Sequence, residues 1–132
     1  MTTIDWPHPE GLLRNPGFSQ VVVASGRRTV YISGQVSIDE NGALVGGNDL
    51  AAQTTQTMRN LGLALSAAGA TYADIVKITT YVVNYRPEQR AIVGKARGAF
   101  FDGVPPASTL VGVTALAMPE WLIEIEAVAV ID

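Results

Sequence analysis

The chain has no cysteine and a single histidine among its 132 residues. The first absence removes disulfide scaffolds, thiol nucleophiles and thiolate-held zinc or iron–sulfur centres. The second removes any multi-histidine metal cage. Charge is scarce too: Asp, Glu, Lys and Arg make up 16% of the residues, against roughly 25% in an average soluble domain. The nine Lys and Arg are scattered and the formal net charge is −3, which argues against nucleic acid as a partner. No apolar run approaches the roughly 20 residues that span a bilayer, so no membrane partner is expected. Met1 to Pro9 has neither the basic flank nor the apolar core of a secretory signal. The expectation is a soluble cytoplasmic protein with no bound metal.

Apolar surface, by contrast, is plentiful. Hydrophobic residues make up 48% before the 13 glycines are counted. A single domain of this length buries only about two-thirds of the surface its unfolded chain exposes. The surplus finds its simplest outlet between subunits, so an oligomer is expected.

Residues 1–17 hold three of the seven prolines and read as an extended arm; residues 18–132 read as one domain. Gln20–Ala24 and Thr29–Val36 are β-branched runs separated by a turn at Ser25–Arg28, and both predict strands. Asn41-Gly42 marks a tight turn. Leu50, Thr54, Met58, Leu61, Leu65 and Ala68 form one stripe of a 3.6-residue helix, with Asn48 or Asp49 as its cap and Gly69 as its stop. Ile75–Val83 predicts a third strand. Pro87 suits the first turn of a second helix, whose inward face is read as Ile92, Ala96, Ala99 and Phe100. A hairpin is expected to close the chain, Ala107–Leu116 turning through Ala117–Glu120 into Trp121–Val130. The order β-β-α-β-α-β-β predicts an α+β domain: an antiparallel or mixed sheet with both helices on one face and the other face left for partner subunits.

The last strand carries the most chemistry. Trp121, Ile123, Ile125, Ala127 and Ala129 point one way; Leu122, Glu124, Glu126, Val128 and Val130 point the other. A carboxylate among aliphatics is costly unless paired or hydrogen-bonded. Either one glutamate faces a ligand cleft as a general acid/base or water-orienting group, or both are solvated or tied down at a subunit seam.

Ser33-Gly34-Gln35, Asp74–Lys77, Pro106-Ala107-Ser108-Thr109 and Ile123–Val130 together resemble the Rid family, also called YjgF, in matching order from about Phe18 to Val130. The resemblance implies a chorismate-mutase-like α+β fold and a homotrimer with ligand clefts between subunits. It also implies hydrolysis of enamines and imines to 2-oxo acids and ammonia without metal or organic cofactor. Its water-positioning glutamate matches Glu124, and the glycine whose backbone lines the cleft matches Gly34. Where the family places a carboxylate-gripping arginine, this chain has Ser108. Phe18 falls at a family tyrosine, and Gly94 at a family asparagine. The backbone from Ser108 through Thr109 to Leu110 is expected to hold substrate, with Phe18 walling the pocket. Losing the bidentate guanidinium predicts weak activity on small 2-imino acids or a shift to another substrate. A non-catalytic metabolite-binding trimer is the alternative, with ribonuclease or translation inhibitor a less favoured third.

Other groups are read blandly. His8 and Trp6 in the arm suit surface capping and packing. Ser108 lacks a visible base to make it a nucleophile. Lys95 and Arg97 lie near Gly94; either could reach the cleft in place of the missing guanidinium, but solvated placement is the preferred reading.

Overall fold

A computed structural model describes residues 1–132. Six strands and two helices form the domain: β1 (Thr3–Asp5), β2 (Val23–Ser25), β3 (Arg28–Gln35), α1 (Leu50–Ala67), β4 (Ile75–Val83), α2 (Gln89–Gly98), β5 (Ala107–Val113) and β6 (Ile123–Ile131). The main sheet is mixed, in the order β3-β6-β4-β5. Both helices cover one of its faces. The arm is not free, because β1 pairs antiparallel with β2, Ile4 opposite Ala24.

Helix α1 forms where its stripe placed it. The Asp49 carboxylate accepts from the Ala52 N–H at 3.1 Å, satisfying one of the orphan donors of the first turn. Gly69, just past the helix end, takes a φ of +76°, a conformation open to glycine at little cost. Thr54, Met58, Leu61 and Leu65 are fully buried. Met58, Leu61 and Leu65 meet Ile78 and Val82 of β4 and Ile123, Ile125, Ala127 and Ala129 of β6 in one core.

Two expectations are corrected. The chain does not close on a hairpin. Strand β5 runs parallel to β4, Ser108 opposite Ile78, and β6 inserts between β3 and β4, antiparallel to both. The physical reason is burial. Strand β6 has apolar residues at every inward position, so the centre of the sheet suits it, whereas β5 ends at Val113 on the edge. The helix-linked β4–β5 step is the crossover that parallel neighbours require.

The inward face of α2 is also one residue out of phase with the sequence reading. Ile92 is 43% exposed and Val93 is fully buried. One residue turns a helix by about 100°, so the group four residues on from Val93 also faces inward. That group is Arg97.

Candidate functional site

The sheet separates two groups of candidate residues. Cross-strand partners share a face. Ser108 is opposite Ile78 and Leu110 is opposite Thr80, so both lie on the helix-covered side with those buried residues. Glu124 lies opposite Tyr81 on the open side.

On the helix side, a cavity of about 980 Å³ lies between α2, β5 and the segment ending at Phe18. Phe18, Gly94, Ser108 and Leu110 all line it. Phe18 is held there by its neighbour: the Ser19 hydroxyl donates to the Pro105 carbonyl at 2.5 Å, and the Ser19 N–H donates to the Pro106 carbonyl at 3.0 Å. Gly94 opens onto free space, and a Cβ there would meet nothing within 4 Å. The Thr109 side chain turns to the other face, where Lys77 Nζ donates to its hydroxyl at 2.5 Å.

Arg97 corrects the solvated reading. Its Nη1 donates to Thr80 Oγ1 at 3.2 Å and to Ser108 Oγ at 3.1 Å. Burial lowers its pKa, with no carboxylate near enough to oppose the shift. Lys95 stays exposed at the cavity rim. Phasing α2 on Val93 would have revealed Arg97 from the sequence. Nothing in the sequence pattern marked Thr80 as its second partner.

On the open face, the Glu124 side chain lies against Gly34. A Cβ on Gly34 would run into the Glu124 carboxylate and come within 2.8 Å of its Cγ, so that glycine makes room for the acid. Partial burial raises the Glu124 pKa, and the neighbouring Glu126 charge raises it further. Glu126 is itself engaged, accepting from the Tyr81 hydroxyl at 2.5 Å. Glu124 has no ion-pair partner. A carboxylate so placed holds a proton more readily than usual and can accept one from water.

The entry to β6 is set by a residue the helix stripe did not flag. Buried Gln53 donates to the Gly47 and Glu120 carbonyls at 2.7 and 3.0 Å, and its Oε1 accepts from the Leu122 N–H at 3.0 Å. Gln53 sits among Thr54, Thr55, Gln56 and Thr57, so no sequence signal set it apart.

His8 and Trp6 lie apart, lining a smaller cavity of about 420 Å³ beside the arm. No cluster of three or more His, Asp or Glu side chains is arranged to hold a metal ion. No helix is long and apolar enough to cross a membrane.

A two-helix mixed sheet, with a cavity at its edge strand and a partly buried glutamate on its open face, defines an α+β protein of the Rid type. The chain belongs to the family described as endoribonuclease L-PSP, whose profile matches residues 13–131. It is 36% identical over 114 residues to the 2-iminobutanoate/2-iminopropanoate deaminase of Rattus norvegicus, covering 86% of this chain and 79% of that one. It is 31% identical over 113 residues to protein DfrA of Myxococcus xanthus, covering 86% of this chain and 84% of the relative. Among solved structures, YyfB of Yersinia pestis, a Rid-family protein of unknown function, superposes with a TM-score of 0.91 at 47% identity, covering 96% of this chain and 98% of its own.

Proposed function

We propose that the protein is a cofactor-independent hydrolase of imines and enamines, acting in the cytoplasm as a homotrimer, with its substrate preference shifted away from the smallest 2-imino acids. The carrying observation is Glu124, a carboxylate with a raised pKa, no cation beside it and a bare glycine backbone against it. An enamine first tautomerises to its imine. Glu124 then takes a proton from water as the oxygen adds to the imine carbon and passes it to nitrogen, giving a carbinolamine. It next moves the hydroxyl proton to nitrogen as the C–N bond breaks and the C=O bond forms, so the products are a carbonyl compound and ammonia. The deaminase activity for which the mammalian relatives are named favours this chemistry.

The trimer is part of the proposal, because one chain separates the two halves of the site. Glu124 and Gly34 are on the open face; Phe18, Ser108 and Leu110 line the cavity behind the sheet. A neighbouring subunit's open face brought to the cavity mouth completes the cleft. The apolar groups left exposed on that face, Tyr31 and Val111 among them, favour such a seam. A net charge of −3 and a single histidine count against the ribonuclease implied by the family description.

The second reading is a metabolite-binding trimer without turnover. It draws on Ser108, whose hydroxyl already accepts from Arg97 and has no base at hand. The test generates imines in situ with an amino-acid oxidase and follows their lifetime by semicarbazide trapping. The expected result is faster loss of phenylalanine-derived imine than of alanine-derived imine, abolished in Glu124→Gln. Equal acceleration of both imines would overturn the shifted preference. No acceleration of any imine would leave the binding module.

A further inference from the structure

Arg97 is a half-buried guanidinium with no anion beside it. Its charge lies under α2, between the helix and the edge of the sheet, and neither ion pair of the chain involves it. Both of its polar contacts are neutral hydroxyls, Thr80 and Ser108, and both are made by Nη1. A guanidinium has five N–H donors in a planar fork. With the two on Nη1 spent, the edge formed by Nε and Nη2 is left without a partner in the chain. That edge is the pair of parallel N–H groups that matches a carboxylate.

The residue lines the cavity of about 980 Å³, so the free edge has somewhere to receive a ligand. The other charged groups on the wall are Arg90, Lys95 and Glu88. Glu88 is engaged elsewhere, with Arg86 Nε 3.2 Å from its carboxylate. The wall is therefore positive in balance. The C-terminal end of α2 sets only a partial negative charge beside Arg97, not a full counter-ion. Between the charges the lining is apolar: Phe18, Val93, Phe101 and Leu110. The volume lies at the upper end of the range for small-molecule sites, and a ligand of only a few carbons would leave most of it to water.

We propose that Arg97 is a substrate-binding residue whose Nε/Nη2 edge grips the carboxylate of an organic acid with a sizeable apolar body, while Thr80 and Ser108 hold its Nη1 in place. This deepens the small-molecule reading above and rests on the cavity being the ligand site. Ser108 then positions the guanidinium and leaves the ligand to Arg97. A planar ring on the ligand has Phe18 and Phe101 to pack against.

Calorimetric titration of the purified protein with phenylpyruvate, and with its neutral amide, reads the assignment directly. The expected result is an acid at least about tenfold tighter than the amide, or about 1.4 kcal/mol. Arg97→Gln loses that preference, and Arg97→Lys, which keeps charge without the fork, recovers only part of it. Circular dichroism checks that both variants are folded. In the wild type, the Arg97 Nε–Hε NMR signal moves on titration with the acid, a readout that a purely structural arginine does not give and that needs no stable Arg97→Gln. Equal binding of acid and amide, or a preference surviving Arg97→Gln, or an unmoved Nε–Hε signal, overturns the assignment. Wild-type hydrolysis separates the two readings. If the wild type prefers the acid through Arg97 but hydrolyses no imine, the enzymatic reading falls and Arg97 stands. If hydrolysis proceeds with no preference for the acid, only the Arg97 assignment falls.

Discussion

Under the proposed hydrolysis, Glu124 links protonation to both activity and stability. Burial and Glu126 raise its pKa above the ordinary 4.5 of a glutamate. The proposed base works only when ionised, so the acid limb of the kcat/KM–pH profile is expected above that value rather than at it. The folded chain also holds this proton more tightly than the unfolded one. Between the unfolded and folded pKa values the unfolded state therefore binds fewer protons, and this group's contribution to stability falls as pH rises. Glu124→Gln is accordingly expected to melt slightly higher than wild type at pH 7, with the difference gone below pH about 4. Thermal melts across that range check it; a variant less stable at pH 7 would mean that the carboxylate makes a compensating bond. The pattern of β6 displayed Glu124 and its face plainly. It could not display the acid's fit against Gly34, because that contact joins residues ninety positions apart.

At the level of elements, one residue of helix phase separates the sequence reading of α2 from its structure. The helix offers small and apolar groups on several sides, Ile92, Val93, Ala96 and Ala99 among them, so its pattern allows two phases. Packing into the shared core beside α1 selects Val93 and carries Arg97 inward with it. Helix α1 offered no such choice, since its long apolar residues, exposed Leu63 apart, fall on one stripe. Its polar core residue matters as much as they do. Gln53 joins the start of α1 to the loop that delivers β6 through two hydrogen bonds, and ties down the segment before α1 through a third. Gln53→Leu takes the partner from the Leu122 N–H and from two carbonyls, all three bonds being part-buried, and is expected to cost about 1–3 kcal/mol. Urea unfolding measures that loss. A change under about 0.5 kcal/mol, the usual size of a surface substitution, would show that water replaces the amide.

For the whole molecule, the open face is the decisive feature. Tyr31 is 80% exposed and Val111 37%, on a sheet whose other face is covered by helices. Under the proposed trimer, Tyr31→Glu puts charge into a seam and is expected to reduce the particle from three copies of the 13.9 kDa chain to one, with far-UV circular dichroism unchanged and imine hydrolysis lost. Light scattering after size exclusion gives the mass. A wild-type protein that runs as a monomer at micromolar concentration would remove the shared cleft altogether.

Composition, periodicity and strand alternation by themselves determined the α+β class, the extent of α1 and β4, the inward and outward faces of β6 and the surplus of apolar surface. Each follows from local geometry, the 3.6- and 2-residue periods that a chain cannot avoid. Tertiary structure alone decided that β6 lies between β3 and β4, that α2 is phased on Val93, and that Arg97 meets Ser108 across the cavity wall. Those outcomes depend on which surfaces exclude water together once the whole sheet is assembled, and no local period encodes that competition.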